Sequence, residues 1–320
     1  MPTPATTPLF YRHRLPVRIM HWLNVVSFFL MLGSGLTIFN AHPHLYWGKD
    51  SHFGTALLSI EAITDAQGKS HGVTRLSGHE FNTDGVLGTS RVLNDANPSE
   101  RAFPDWATIP SRQWLAMARV WHLFFAWIFV ANGLAYILYT LASGHFRRDL
   151  LPTRTELRQI PQSIKDHLRF KHPAGEAAKR YNVLQNLTYL SVIFGLLPLL
   201  VVAGLAMSPR VDAMFDGGWV DWLGGRQSAR TLHFLAAFAL LGFIAIHVFE
   251  VIVSGFWNHL RSMITGHYRV PPEPKPADLP TASKGDDATG AAGAPIQASD
   301  AATPVSSAQT TPHSGTEPTP

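Results

Sequence analysis

The 320-residue chain contains no cysteine. That excludes disulfides, iron–sulfur clusters, zinc–thiolate sites and a haem attached covalently through a C-x-x-C-H motif. Any metal the chain binds is held by His, Met, Glu or Asp. Charge is also scarce, at 15% of residues against 46% that are hydrophobic, and it is all but absent from four long stretches. No acidic residue precedes the first of these stretches, and no aromatic residue follows Val270.

The four apolar stretches are Trp22 to Phe39, Trp121 to Leu141, Leu187 to Met207 and Thr231 to Val253. Each approaches the roughly 20 residues that a helix rising about 1.5 Å per residue needs to cross a hydrocarbon core about 30 Å thick. The expected fold is an all-α integral membrane protein, a four-transmembrane-helix bundle with a large extracytoplasmic loop between helices 1 and 2. The first stretch is longer than a signal-peptide core and is followed by "FNAHPHLYWG", which offers no small-x-small cleavage site, so it is expected to be retained. Gly33 and Gly35 within it permit close approach of another helix or of a flat cofactor.

Lys and Arg placement sets the orientation. Arg12, Arg14 and Arg18 precede helix 1, and His145 to Arg180 carries nine basic against four acidic residues, which assigns both segments to the cytoplasm. The segment from Asn40 to Ala118 holds six basic and eight acidic residues and is assigned outside, as is the short Ser208 to Arg230 connection. Both termini are then cytoplasmic. The domain expectation is a cytoplasmic N-terminus (1–20), a four-helix domain (21–269) with an outer loop at 40–118 and an inner loop at 142–186, and a disordered cytoplasmic tail (270–320). Ten of the 23 prolines lie in that tail, which cannot bury enough apolar surface to offset its ordering entropy. The outer segment, with "LYWG" and "FPDWA", reads equally as a small ordered cap or as an irregular loop. The net charge of +4 comes largely from the inner segments, so it does not point to nucleic acid.

Sixteen histidines are present, and most fall in loops where exposure explains them. Four do not. His21 opens helix 1 at the inner side, His122 opens helix 2 at the outer side, and His233 and His247 lie near the outer and inner ends of helix 4. Fourteen residues on a helix advance roughly 21 Å and rotate about 1400°, close to four full turns, so His233 and His247 share a face. Because successive helices alternate in direction, His21 matches His247 in depth and His122 matches His233. A single membrane histidine is often an interhelical hydrogen-bonder. Two depth-matched cross-helix pairs suit bis-imidazole ligation of a non-covalent haem in a bundle interior. Zinc or copper also accepts imidazole, but a tetrahedral sphere needs further ligands and none stands at matching depth. A histidine-lined metal or solute transporter is the rival reading from another class; it calls for inverted repeats and broken helices, and Pro198 in helix 3 is the one sign of that kind.

With "RIMHWLN" opening helix 1, "RVWHLFFAW" opening helix 2, and "RTLHF" and "IHVFE" on helix 4, residues 10 to 269 resemble the bacterial cytochrome b561 and nickel–iron hydrogenase cytochrome b subunit family, which includes formate dehydrogenase gamma subunits. "HPHLYWG", "GHFRRDLLP", "GGRQSARTLHF" and "WNHLRSMITGHY" are similar to the subgroup accompanying periplasmic molybdopterin oxidoreductases. The resemblance implies two b-type haems, with His21 and His247 holding the inner one and His122 and His233 the outer. It implies electron transfer between a periplasmic redox partner, such as a molybdopterin oxidoreductase, and the quinone pool of the bacterial inner membrane. Its implied partners are that oxidoreductase, quinone, membrane lipid and a second copy of the chain. Stand-alone superoxide oxidation with quinone as acceptor is the alternative within the family, though the long outer segment departs from the short-looped members that do this. Arg18 and Arg261 at the inner depth, and Arg119 and Arg230 at the outer, are candidates to neutralise haem propionates, with interfacial anchoring as the alternative role. Gly33, Gly35, Gly133 and Gly242 can admit a macrocycle, or serve helix packing equally well. His13, His145, Glu250 and Asn258 are the protonatable or polar groups available to a quinone at the inner face.

Overall fold

The computed structural model describes residues 9–91, 99–144, 146, 151–169 and 182–270. His145 and the tail from residue 271 onward, with the expectations attached to them, lie outside the described residues. Among the described residues four helices are long and apolar enough to cross a membrane: α1 (Leu15–Asn40), α2 (Leu115–Ala142), a third span at Val183–Ala206, and a fourth at Arg226–Val253. The exposed face of α2 carries Val120, Leu123, Phe124, Trp127, Leu134, Leu138 and Leu141, spaced by three, four and seven residues. Such a row of bare apolar side chains is suited to lipid and not to water.

α1 begins at Leu15, just after its capping residue Arg14, with Pro16 in the first turn, where a proline costs no helical hydrogen bond. The described residues between α2 and the third span form two short helices, α3 (Arg154–Arg158) and α4 (Ile160–Leu168). The third span is not uniform. It starts as α5 (Val183–Ser191), passes through a π-helical turn at Val192–Leu196, and resumes as α6 (Leu197–Ala206). Pro198 has no N–H to return to the carbonyl four residues earlier, and the widened turn accommodates that missing bond. After it come α7 (Pro209–Ala213) and α8 (Gly218–Trp222), then the fourth span, α9 (Arg226–Val253), and the short α10 (Phe256–Thr265). Phe28 of α1, Leu200 of α6, and Ala236 and Leu240 of α9 form the apolar centre of the bundle.

Both ends of the bundle carry β-structure, and here the all-α expectation is corrected. At one end, β1 (Leu9–Tyr11) pairs antiparallel with β6 (His267–Arg269), making a clip between the start of α1 and the end of α10. At the other end, the segment between α1 and α2 folds an antiparallel sheet from β2 (His44–Leu45), β3 (Leu58–Thr64), β4 (Ser70–Leu76) and β5 (His79–Asn82), in that order. Aromatic content had left that segment open between ordered cap and irregular loop. The alternation that makes these strands is legible only once Ser-Gly and Gly-Lys turns are counted as hairpin punctuation.

The sheet is seated on the bundle by side chains that α1 and α9 present at their ends. Leu36 and Phe39 join Leu45, Ile60, Ala102 and Phe103 in one buried cluster, against which Phe234 and Phe238 pack. Asn40 completes the seat: its Nδ2 donates to Phe103 O at 3.0 Å and its Oδ1 accepts from Phe103 N at 2.7 Å. The N-terminus of α9 is closed from the sheet side as well. Gly48 O accepts from the backbone N–H groups of Gln227 and Ser228, while Gly48 N donates to Ser228 Oγ at 2.8 Å. Gly225 at φ +104° allows this approach, since a Cβ there would fall 2.6 Å from Gly48 O.

Candidate functional site

Four histidines selected by spacing meet as two pairs. His122 of α2 and His233 of α9 place their ring centroids 6.1 Å apart at 69° between planes, toward the sheet end. His21 of α1 and His247 of α9 lie 6.5 Å apart at 66°, toward the clip end. α9 therefore lines both pairs.

The sheet-end rings are held individually. His233 Nδ1 lies 2.8 Å from Leu200 O and His122 Nδ1 lies 3.0 Å from Met31 O. A carbonyl only accepts, so each Nδ1 carries the proton and each Nε2 keeps its lone pair for a metal. Ser34 Oγ, 3.3 Å from His122 Nδ1, adds a second polar neighbour. Glycines make room for both rings: a Cβ on Gly35 would come 3.3 Å from His122 Cε1, and one on Gly204 would come 3.1 Å from His233 Cε1. Gly35 thus admits α2 closely, one of the uses expected of it. At Gly33 the close approach is made by Ile109 of the segment before α2, where a Cβ would stand 2.7 Å from Ile109 Cγ1, which is the packing use. Gly133 and Gly242 face open space. Gly204 was not singled out from the sequence, since a glycine in an apolar helix carries no sign of which neighbour it faces.

The clip-end pair is bounded differently. Neither ring has a hydrogen bond among the described residues; Phe243 stacks on His247 with centroids 5.9 Å apart, and Trp22 meets His21 edge-on at 5.5 Å. The Trp22 indole N–H donates to Met263 O at 3.1 Å, tying α1 to α10. Arg18, one turn before His21, has its Nε buried without a hydrogen-bond partner, and so does Arg261 of α10. The Arg18 guanidinium lies against Gly266, where a Cβ would stand 2.9 Å from Nη1.

The remaining candidates divide. Arg230 is half-buried, donates from Nη2 to His42 O and lies over the Phe39 ring at 5.6 Å. Burial first, then the charge of Arg230, holds the His42 imidazole below its ordinary pKa. Arg119 is exposed at the rim. Asn258 is committed to the clip, with Nδ2 donating to Arg269 O at 2.8 Å and Oδ1 accepting from Arg269 N at 2.9 Å. Glu250 is half-buried one turn beyond His247.

Comparison with known proteins decides what such an arrangement belongs to. The model of a family described as prokaryotic cytochrome b561 matches residues 12–266, a range containing all four histidines and all four spans. The chain belongs to the prokaryotic cytochrome b561 family. It is thus a multi-pass bacterial membrane protein with a haem b electron-transfer role. It is similar to the putative protein-methionine-sulfoxide reductase subunit YedZ1 of Azospira oryzae, 31% identical over 154 residues that cover 48% of this chain and 73% of the relative. No solved structure matches.

The residues fit the haem that a cytochrome b561 carries. An imidazole nitrogen ligates a metal at about 2.0–2.1 Å and lies roughly 1.2 Å from its ring centroid, so two imidazoles facing across one metal put their centroids about 6.5 Å apart. The observed 6.1 and 6.5 Å match that spacing. Among the described residues no group of three or more His, Asp or Glu side chains is arranged to hold a bare ion. Buried, unpartnered guanidinium nitrogens at Arg18 and Arg261 suit a ligand that brings carboxylates.

Proposed function

We propose that the protein holds two haem b groups, His122 and His233 the outer one and His21 and His247 the inner one, and carries electrons between a periplasmic oxidoreductase and membrane quinone. The observation that carries this reading is the pairing of four histidines across three helices, at two depths set by the fourteen-residue spacing on α9. The sheet end faces the periplasm and the clip end the cytoplasm, in keeping with the basic residues of the N-terminus and of residues 145–180. The partner is a molybdopterin-dependent oxidoreductase docked on the sheet; the similarity to a sulfoxide reductase subunit supports it.

A bound haem supplies a one-electron iron couple at each depth. The chain supplies everything else. Met31 O and Leu200 O fix the tautomers of the outer imidazoles and strengthen them as donors. Arg18 and Arg261 would hold propionates at the inner boundary, and Arg230 would do so at the outer one with the N–H groups not given to His42 O. Arg119, at the rim, is an anchor at the interface. Lipid-facing side chains of α2 and α9 keep bulk water from the pairs. Quinone is met at the inner face, where Glu250 is placed to pass protons from the cytoplasm to a carbonyl oxygen being reduced.

The test is spectral. Purified protein should show a reducible Soret band and pyridine haemochrome for two haems per chain. His233→Ala should remove the outer haem alone and His247→Ala the inner alone. Colourless protein, or a single variant that loses both or neither haem, overturns the assignment. Co-purification under mild detergent should bring down a soluble molybdopterin protein; capture of none in a periplasm-containing extract argues for the stand-alone alternative.

A further inference from the structure

Asn132 is buried in the middle of α2, yet an amide in lipid is retained only where it finds partners. Its Nδ2 donates to Met20 O at 2.8 Å and to Asn24 Oδ1 at 2.7 Å, both on α1. Those two acceptors bracket His21. We propose that Asn132 is a positioning residue for the inner haem ligand, fixing the turn of α1 that carries His21 against α2; the proposal rests on the haem reading above.

The contrast between the two pairs is what gives Asn132 this task. At the outer pair each imidazole is oriented through its own Nδ1–H, so the ring is held even if its helix shifts slightly. Neither inner ring has such a bond among the described residues, and stacking of Phe243 constrains only His247. Beyond its edge contact with Trp22 on the same helix, His21 is therefore placed by its backbone. That backbone is held at the clip end by Trp22 and Met263, and within the bundle by Asn132. Met20 O already belongs to the α1 hydrogen-bond ladder, so the Asn132 N–H uses its second lone pair and does not unwind the helix. Among the described residues no other hydrogen bond ties this turn of α1 to α2. His247 sits on a different helix, so any rotation of this turn changes the angle and separation across the inner pair.

The experiment uses the full-length holoprotein carrying Asn132→Leu, which keeps a branched side chain of similar shape and removes the donor, and Asn24→Leu, which removes one acceptor and leaves the Met20 bond. Three readouts are taken: haem content, low-spin electron paramagnetic resonance, and haem release to apomyoglobin. The inner signal is the one absent from His247→Ala. With Asn132→Leu, the inner g-values should shift and inner haem should leave roughly three- to fifteen-fold faster, the range expected for one interhelical hydrogen bond, while the outer haem changes less than about twofold. Asn24→Leu should move the inner signal in the same sense by less. Equal effects on both haems, or a lowered melting temperature with both spectra intact, overturn the proposal and leave Asn132 as general helix glue. If the unmodified protein lacks a signal that His247→Ala removes, it is the haem reading that fails.

Discussion

Gly204→Ala is the sharpest perturbation of the outer site. The added methyl would stand 3.1 Å from His233 Cε1 and 3.2 Å from Nδ1, against an ordinary carbon contact of about 3.5–4.0 Å. Either the ring or α6 must yield by a few tenths of an ångström. Both choices cost the same bond, because Leu200 O, which holds Nδ1 at 2.8 Å, is on α6 one turn before Gly204. Overpacking of this kind costs about 1–3 kcal/mol and a weakened hydrogen bond about 0.5–1.5 kcal/mol more. Helix propensity returns up to about 1 kcal/mol, since alanine is the better helix former. The net, about 0.5–4.5 kcal/mol, falls mainly on the haem-loaded state, in which His233 is least free to rotate. At about 1.4 kcal/mol per tenfold, outer-haem affinity should drop by roughly twofold to a thousandfold. Haem transfer to apomyoglobin reads this directly, with the inner haem of the same molecule as control. Gly204→Val, which adds two more methyl groups against the ring, should leave one haem per chain. Retention of both haems with unchanged release rates in Gly204→Ala would refute the reasoning.

Further outcomes follow from other contacts. Gly225→Ala should lower the melting temperature by several degrees, since φ +104° disfavours any L side chain and the methyl would meet Gly48 O at 2.6 Å; a thermal shift assay in detergent checks it, and an unchanged midpoint contradicts it. Asp65 and Asp84 are held below the ordinary carboxylate pKa, the first chiefly by the Lys69 N–H and then His71, the second chiefly by the Thr89 hydroxyl and then the Gly72 N–H. A depressed folded-state pKa stabilises above the unfolded value near 4 and is lost as pH falls through the folded one, so the β3–β4–β5 sheet should open to pepsin only as pH drops below about 4. Asp84→Ala should open it at the upper end of the pepsin range too; identical pH profiles for both proteins speak against the link. Because the chain has no native thiol, Lys69→Cys should react with a membrane-impermeant maleimide in intact cells and Arg158→Cys only after lysis, and the reverse pattern would invert the topology.

How much of this was legible in the sequence depends on whether the signal is periodic or local. The four spans announce themselves because a hydrocarbon core demands some twenty apolar residues in a row, a statistic that no loop imitates. The histidine pairs were legible for a related reason: helix direction and a 1.5 Å rise turn residue numbers into depths, so His21 and His247 could be matched before any contact was known. The sheet was not legible in that way. β2 is two residues long and β5 is exposed throughout, so neither shows the apolar alternation that marks a strand. Their pairing depends on seating against Leu36 and Phe39, which is tertiary information. Gly204 and Asn132 were missed for the same reason. A glycine and an asparagine in membrane helices have many uses, and only the facing residue, His233 in one case and Met20 in the other, says which one applies.

The two sites differ in a way that bears on how such a bundle is built. At the outer pair, α1 and α6 lend backbone carbonyls to imidazoles that sit on α2 and α9. All four helices thus converge on one depth, and the sheet closes over their ends through Phe39, Phe234 and Gly48. At the inner pair the imidazoles come from α1 and α9, and the polar tie passes from α2 to the α1 backbone instead of to a ring. A ring tied to a carbonyl keeps its tautomer and angle whatever occupies the site. A ring placed only by its helix depends on helix packing, which in a membrane rests on close contact and a few interhelical hydrogen bonds. The outer site is therefore organised by its own first neighbours, and the inner one by the bundle as a whole. Perturbing helix packing at a distance, by detergent or by a substitution far from either pair, should reach the inner haem before the outer.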